Sequence, residues 1–357
     1  MTSSSLGLPL RLVCIMGGVP SKTFNPVEDL PSLAGKVVVV TGSSRGIGFA
    51  ILQYFSRMGA KVYMAARDEA RAREAIDRLD KEGREPGFGE VIWHELDLKD
   101  PRSAKESAER FIAREKRLDI LVNNAAILAE LGGVQENADG IVDSMAVKFA
   151  LLFSLLALAT LLTLSPSYLG PYVFTRTLLQ LLESTTSLDG ADVRIINVGS
   201  HGHTMVKYME YGSKEAWNHP FKWYLLSSFE RYKYSKLAMH LWTNDLARHL
   251  SEEKSKVMIL VTQPGAILSD GAIRSLSALP YPPFWIWLAG LMMHPATTGA
   301  YTSVFAACAP RDNPQISQGA YIYPPNVAVA QGPAALDEVR QRKLAEFTEG
   351  FLQSIGV

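Results

Sequence analysis

Tyr232 and Lys236 are spaced so that they could move a proton together. They lie four residues apart in residues 229–250, whose pattern predicts one long helix, so their side chains share a face of that helix. A free tyrosine hydroxyl has a pKa near ~10, and lowering it by about three units needs roughly 4 kcal/mol of phenolate stabilisation. An ammonium at ~4 Å supplies about that much at an effective dielectric constant near 20. The pair is therefore predicted to act as an acid and base.

A glycine-rich turn near the N-terminus could hold a phosphate. The four valines at residues 37–40 predict a strand buried on both faces, and residues 47–58 predict a helix. Between them, Gly42 allows a tight turn, Gly46 lets the backbone approach a pyrophosphate, and Gly48 lets strand and helix pack closely. The helix N-terminus presents N–H groups and a partial positive charge. The order strand, turn, helix predicts a dinucleotide-binding turn.

Strand and helix patterns alternate along the rest of the chain. Further strands are predicted at residues 61–66, 91–96, 120–122, 193–198, 257–261 and 320–323, and further helices at 69–81, 103–117 and 336–352. This alternation predicts an α/β fold, a doubly wound parallel sheet of about seven strands in one domain, residues 35–357. Residues 1–34 are expected to be a lead segment and not a secretory signal, with Met1 or Met16 as the start.

Composition excludes several classes of protein. The formal net charge of zero gives no reason to expect a nucleic-acid partner. Cys14 and Cys308 cannot form a disulfide framework and lack metal-ligand spacing, and the seven histidines are scattered, so no metal site is expected. A reducing compartment, the cytoplasm, is the expected location.

The motifs resemble, in type and order, those of the short-chain dehydrogenases/reductases over roughly residues 34–357. They are the glycine-rich turn, Asp97, the turn at Asn123, Asn124 and Ala125, then Ser200, Tyr232 with Lys236, and Pro264 with Gly265. Their order carries the assignment, because a Tyr-x-x-x-Lys pair alone arises readily by chance. Two positions depart from the family: Ala126 stands where glycine is usual, and Gly199 where serine is common. The resemblance implies a Rossmann-type fold.

The resemblance also implies a role for each matching residue. Ser200 would hydrogen-bond the substrate oxygen, Tyr232 would donate the proton, and Lys236 would also bind the nicotinamide ribose. Hydride would pass between the nicotinamide and the carbonyl carbon. The implied cofactor-binding residues are Gly42, Ser44, Arg45, Gly46, Ile47, Gly48, Arg67, Asp97, Leu98, Asn123, Asn124, Ala125, Tyr232, Lys236, Pro264, Gly265, Ile267 and Ser269.

The end of the second predicted strand favours NADP over NAD. Asp68 lies about where NAD-binding domains carry an acid for the ribose 2′-hydroxyl. The strand register, however, places Ala66 at the selecting position. Arg67 and Arg45 would then face a 2′-phosphate, which a guanidinium suits by its bidentate geometry. The alternative is that both arginines are solvated and the cofactor is NAD.

Two apolar segments favour a hydrophobic alcohol, ketone or aldehyde as substrate. Ser200 and Tyr232 are 32 residues apart, and the loop between them is aromatic, with Tyr208, Tyr211, Trp217, Phe221, Trp223 and Tyr224. A long loop here resembles the retinol-dehydrogenase-like branch of the family. Apolar residues 280–288 follow the Pro-Gly motif, where the family places its substrate lid, at about 269–296. The alternatives are core packing, or a patch for an oligomer or a membrane surface.

Residues 149–164 form a leucine-rich run without a charged residue. A single membrane span here is rejected, because it would divide one parallel sheet between two sides of a bilayer. Replacing residues 148–167 by one asparagine restores a helix that resembles the one carrying the family's fourth catalytic residue. The codons of Lys148 and Ser167 also permit intron borders, so the segment is interpreted as a translated, unspliced intron. A genuine insertion that caps the substrate pocket is the alternative.

The sequence therefore predicts an NADP-dependent oxidoreductase for a hydrophobic alcohol or carbonyl compound. One rival is a catalytically impaired nucleotide-binding protein, because the segment at 148–167 disrupts the helix expected to carry the asparagine. The other is a membrane-attached member of the same family, with residues 148–175 or 281–293 as the anchor.

Overall fold

The computed structural model describes residues 24–125, 168–219, 221, 227–268, 273, 276–277 and 280–357. The predicted insertion at 148–167 lies outside the described residues. So do Ala126, Ser269 and most of the predicted lead segment.

Within the described residues, eight strands form one sheet. They are β1 (Val37–Thr41), β2 (Lys61–Ala66), β3 (Val91–Glu95), β4 (Ile120–Asn123), β5 (Arg194–Val198), β6 (Met258–Thr262), β7 (Tyr321–Tyr323) and β8 (Val327–Val329). Their order is β3-β2-β1-β4-β5-β6-β7-β8. The first seven strands pair in parallel, and β8 pairs antiparallel with β7. The predicted doubly wound parallel sheet is confirmed, with one strand more than the pattern indicates.

Helices cover both faces of this sheet. They are α1 (Pro26–Asp29), α2 (Gly46–Arg57), α3 (Glu69–Glu82), α4 (Pro101–Arg114), α5 (Leu169–Thr185), α6 (Lys214–Trp217), α7 (Ser227–Glu252), α8 (Pro282–Met292), α9 (Ala296–Gly299), α10 (Tyr301–Cys308) and α11 (Glu338–Ser354). Two 3₁₀ turns, His201–Met205 and Pro333–Ala335, follow β5 and β8. In the described residues, no helix has the length and hydropathy needed to cross a membrane.

The valines of β1 show how the sheet is buried on both faces. Val38 and Val40 pack in one core with Ile51 of α2, whereas Val39 packs in the other core with Phe174 of α5. Alternate side chains of a strand point to opposite faces, so a run of valines serves a sheet that is covered on both sides. β1 lies between β2 and β4 and is covered by helices on both faces. Its carboxyl end therefore holds the glycine-rich turn in a fixed position.

The described part of the predicted lead segment packs against the domain. The Phe24 ring lies 5.5 Å from Tyr301 and 6.1 Å from Phe305, centroid to centroid. Leu33 is buried in the core, and its N–H donates to the Met58 carbonyl at 2.8 Å. Residues 24–33 thus add apolar contacts to α10 and to the end of α2.

Arg194 is a fully buried cation that ties β5 to α10. Its guanidinium donates to the carbonyls of Ala306 at 2.8 Å and Ala309 at 2.6 Å, and it pairs with Asp192. These carbonyls belong to the last turn of α10 and the residue after it, where a helix leaves acceptors without intrahelical partners. The cation also complements the negative end of the helix dipole.

Arg194→Met is expected to destabilise the fold by about 3 kcal/mol, because it leaves two buried carbonyls without donors and Asp192 without this partner. Urea unfolding followed by far-UV circular dichroism measures the change. Arg194→Lys is the control. It should lose less stability than Arg194→Met because it keeps the charge, although a lysine cannot bond all three acceptors. An Arg194→Met protein as stable as the wild type would contradict this account.

Candidate functional site

The glycine-rich turn closes against the turn that follows β4. Gly42 and Gly46 adopt positive φ angles of 64° and 59°, a region that glycine enters without strain. A Cβ at Gly42 would lie 2.7 Å from the Ala125 Cα, and one at Gly48 would lie 2.6 Å from the Gly42 carbonyl oxygen. The Arg45 side chain makes no capping hydrogen bond at the start of α2. The turn therefore has the close backbone approach that a pyrophosphate site needs.

Thr41, at the end of β1, holds the two turns together. Its hydroxyl oxygen accepts from the N–H groups of Asn124 at 3.1 Å and Ala125 at 2.9 Å, and its carbonyl accepts from the Asn124 side chain at 2.9 Å. β1 and β4 are the neighbouring strands at which the sheet order reverses, and in open α/β sheets ligands bind outside the strand ends at that point. The sequence prediction does not count Thr41 among the site residues, although Thr41 directly precedes Gly42.

Asn123 supports the site from inside the sheet. Its buried amide nitrogen donates to Thr175 of α5 and to Asn197 of β5, both at 2.9 Å, and Asn197 in turn donates to Thr243 of α7 at 2.9 Å. This chain of amides and hydroxyls fixes α5 and α7 against the ends of β4 and β5. The side chain of Asn123 is 1% exposed. It therefore affects the site by holding β4, β5 and α5 together.

Beyond the end of β2, Arg67 is exposed and Asp68 is engaged locally. The Asp68 carboxylate accepts from the Arg71 N–H at 3.1 Å and pairs with the Arg71 guanidinium at 3.1 Å, which makes it the N-cap of α3. After β3, Asp97 accepts from the Lys99 N–H at 3.0 Å. Leu98 packs against Gly170 at the start of α5. The predicted residues after β2 and β3 thus lie at the same edge of the sheet as the glycine turn.

Lys236 and Tyr232 share one face of α7, as their spacing predicts. The Lys236 ammonium donates to the Val198 carbonyl at 2.7 Å and lies 5.9 Å from the centroid of the Tyr232 ring. Both side chains are buried, and burial lowers the pKa of Lys236 to about 8.

Ser200 completes this group at the end of β5. Its hydroxyl oxygen accepts from the Gly202 N–H at 3.1 Å. A Cβ placed on Gly202 would lie 3.5 Å from the Ser200 Oγ and 3.4 Å from Cε1 of Tyr232, so both side chains border the same glycine. The structure therefore brings Ser200, Tyr232 and Lys236 together at the carboxyl end of β5.

The Pro264–Gly265 loop lies beside this group, after β6. Gly265 has a φ of 90°, and Ile267 forms a bridge to His294 and contacts Gly299. The preceding residue, Gln263, accepts from the His201 N–H at 3.0 Å, which ties this loop to the segment after Ser200. Of the remaining predicted cofactor residues, Ser44 and Ile47 lie partly buried in the glycine turn.

The described aromatic residues before α7 pack as core, whereas Trp223 and Tyr224 lie outside the described residues. Tyr211 stacks on Tyr234 at 4.3 Å and donates to the Tyr234 carbonyl, Phe221 is 1% exposed, and Trp217 meets Phe347 of α11 at 4.8 Å. Among the alternatives for these aromatic residues, core packing is the one that the structure supports. Exposed apolar side chains lie instead on α8, at Phe284, Trp287 and Leu291.

Comparisons with known proteins agree with this geometry. The family model described as short chain dehydrogenase matches residues 36–219. A short-chain dehydrogenase/reductase of Armillaria gallica is 37% identical over 91% of this chain and 95% of its own. Human retinol dehydrogenase 14 is 31% identical over 77% of this chain and 75% of its own, which confirms the likeness to that branch.

Solved structures share the fold. A putative uncharacterized protein from Mycobacterium paratuberculosis superposes with a TM-score of 0.62 at 22% identity, covering 92% of this chain and 97% of the other. L-sorbose reductase from Gluconobacter frateurii, complexed with NADPH and L-sorbose, gives 0.54 at 20% identity, covering 81% and 95%. The family model and the relatives show that the protein described here is an oxidoreductase that uses a nicotinamide nucleotide and a small CH–OH or carbonyl substrate. The chain belongs to the short-chain dehydrogenase/reductase family.

Proposed function

We propose that this protein is an NADP-dependent oxidoreductase that interconverts a hydrophobic alcohol and its carbonyl compound, with Tyr232 as the acid and base. The observation that carries the proposal is the convergence of Ser200, Tyr232 and Lys236 at the end of β5. The glycine turn closes against the turn after β4, the strand next to β5. A cofactor and a substrate bound at this edge would therefore be adjacent.

Each of the three residues has a distinct task. Lys236 is held by the Val198 carbonyl, and with a pKa of about 8 it remains mostly protonated at neutral pH. Its charge therefore stabilises a phenolate at Tyr232, which makes that hydroxyl a better acid for the substrate oxygen. The Ser200 hydroxyl orients the same oxygen. A nicotinamide nucleotide bound at the glycine turn would supply or accept the hydride.

The apolar character of α8 supports a hydrophobic substrate. The segment follows the Pro264–Gly265 loop, and Phe284, Trp287 and Leu291 expose about half of their surface or more. Neighbouring exposed apolar side chains of this kind are typical of a binding surface. The likeness to retinol dehydrogenase 14 supports the same substrate class. Contact of α8 with a membrane surface is the alternative use of this face, which carbonate extraction of membranes would reveal.

A carbonyl panel tests the proposed function. Purified protein is mixed with NADPH and with aldehydes and ketones that carry apolar groups of increasing size, including all-trans retinal. The decrease in the absorbance of NADPH is followed. We expect turnover to rise with apolar size, and L-sorbose, the ligand of a structural neighbour, to be a poor substrate. No turnover with any compound, despite NADPH binding, would favour the impaired nucleotide-binding rival.

Arg67→Ala is expected to weaken NADPH binding at least tenfold and to leave NADH binding nearly unchanged. A charge-assisted hydrogen bond to a phosphate contributes about 1.5–3 kcal/mol, and only NADPH carries the 2′-phosphate. Asp68 is occupied as the α3 N-cap, which leaves the exposed Arg67 as the first cation after β2. Titration of nucleotide fluorescence measures both dissociation constants.

Arg73→Ala is the matched control, because Arg73 is an exposed arginine on α3 that pairs with Glu69. It should change neither constant. Equal weakening of NADPH and NADH by Arg67→Ala would show that Arg67 does not read the 2′-phosphate.

A further inference from the structure

Two buried histidines lie directly behind the site, at positions that the sequence prediction leaves without a role. His203, in the 3₁₀ turn after β5, and His240, on α7, stack with their ring centroids 3.7 Å apart and their planes 17° from parallel. They are 1% and 0% exposed. His240 lies one helical turn beyond Lys236, so both residues face the end of β5.

The hydrogen-bond partners of His203 fix its tautomer. Its Nε2 accepts from the Gly332 N–H at 2.9 Å, and a backbone N–H is only a donor, so Nε2 carries no proton. In a neutral ring the proton is then on Nδ1, which donates to the Ser200 carbonyl at 2.7 Å. His203 therefore links the main chain of Ser200 to the segment that follows β8.

The partners of His240 assign its ring in the same way. Its Nδ1 bonds the Gln331 side-chain oxygen at 2.8 Å, and this oxygen also accepts from Asn244 at 3.1 Å, so Nδ1 is the donor. Nε2 is then an unprotonated acceptor that is buried with no hydrogen-bond partner. A Cβ on Gly199 would lie 2.7 Å from this nitrogen, so the ring occupies the space of a side chain at residue 199.

Residues 198–200 are consequently held from two sides. The Val198 carbonyl accepts from Lys236, and the Ser200 carbonyl accepts from His203, while the His240 ring packs against Gly199 between them. The titratable groups that face the two rings are Lys236 on α7, His201 on the 3₁₀ turn and Tyr321 on β7, whose ring meets both imidazoles edge-on at 5.3 and 5.0 Å. Burial lowers the pKa of His203 to about 4 and holds the pKa of His240 well below its usual range, so both rings of the stack are neutral near pH 7.

We propose that His203 and His240 are positioning residues, a neutral imidazole stack that sets residues 198–200 and with them the Ser200 hydroxyl and the acceptor of Lys236. The stack is itself fixed by Gln331 and Gly332, far along the chain. It also contributes to the need for glycine at position 199, since a Cβ there would meet His240 at 2.7 Å as well as Val261 at 2.6 Å. The inference rests on the proposed function, because Ser200 and Lys236 have their tasks there.

His203→Phe tests the first part, because it keeps a stacking ring but removes the bond to the Ser200 carbonyl. We expect kcat per NADPH-binding site to fall about tenfold or more, as small displacements of a reacting group do, with the NADPH dissociation constant within about twofold. His249→Gln is the control: His249 lies exposed near the end of the same helix, bonded to Asp245, and should change neither value. A His203→Phe enzyme with unchanged kcat overturns the proposal.

Gly199→Ala tests the second part, and it serves also if His203→Phe fails to fold. The new methyl group would press on His240 and on Val261, so kcat should fall. The double variant Gly199→Ala with His240→Ala should recover part of the loss, because a coupled pair is non-additive. Additive losses in the double variant overturn the proposal.

Failure of the proposed function is distinguished by a measurement that needs no turnover. Nitrogen-15 NMR of the histidine rings should show His203 protonated on Nδ1 only, without titration between about pH 8 and 5, where an ordinary histidine titrates. If the wild-type protein shows this tautomer but is inactive, the histidine stack is present and the proposed function is wrong. A His203 ring that titrates near pH 6.5 overturns the stack itself.

Discussion

Tyr232→Phe is expected to abolish turnover while NADPH still binds. The change removes only the hydroxyl, and the ring keeps its place on α7 beside Lys236, 5.9 Å from the ammonium. A general acid commonly contributes about 10²–10⁴ to the rate, so kcat should fall by at least a hundredfold. Steady-state reduction of the best carbonyl in the panel measures kcat, and nucleotide fluorescence measures binding. Turnover within about tenfold of the wild type would exclude Tyr232 as the acid.

Tyr234→Phe is the matched control for this experiment. Tyr234 lies two residues further along α7, is equally buried, and donates to the Glu210 carbonyl. Ala238 stands four residues after it, so no lysine shares its face. Its loss should lower stability by about 1 kcal/mol, the usual worth of one hydrogen bond, and should leave kcat unchanged. The two variants therefore separate chemistry from packing with the same atom removed.

Replacing residues 148–167 by a single asparagine is expected to raise both the soluble yield and the NADPH-dependent activity. In this chain, Lys148 stands where an asparagine is expected, and lysine offers no acceptor and adds a charge. The replacement removes a leucine-rich segment, which is an aggregation liability if exposed. It also joins the preceding residues to α5, which begins at Leu169. Yield after centrifugation and activity per milligram are the measurements.

Replacement of the same residues by a single lysine separates length from chemistry. It should recover the yield but little activity, because the acceptor is still missing. A shortened protein that is less active or less soluble than the full chain would show that residues 148–167 are a working part. Sequencing of spliced transcripts across Lys148 and Ser167 tests the intron interpretation separately, since uniform retention of the segment would contradict it.

Local patterns predicted the elements that are long and regular. Residues 61–66 are β2 to the residue, and the four-residue spacing of Tyr232 and Lys236 places them on one face of α7 as expected. The sequence does not predict β8, because three residues with partly exposed valines give too short a pattern. By composition, the aromatic residues before α7 are compatible with a core and with a substrate pocket. For Tyr211 and Trp217, the contacts with α7 and α11 identify the core.

The histidine stack could not be predicted, for a different reason. His240 and Gln331 are 91 residues apart, and His203 and Gly332 are 129 apart. No local period connects such positions, because each contact depends on how the sheet and α7 are assembled. Thr41 is an intermediate case: it precedes the glycine turn in sequence, but its two acceptor contacts need β4 to be in place.

The bonds from Gln331 and Gly332 to the histidines tie the end of β5 to a segment that is translated late. A domain generally folds as a unit, and β1 to β4, with the glycine turn, come from about the first third of the chain. The end of β5 receives its last tethers only when residues 331–332 have been translated. A nascent chain that carries the glycine turn therefore still lacks both of these tethers of the catalytic group until residues 331–332 have been made.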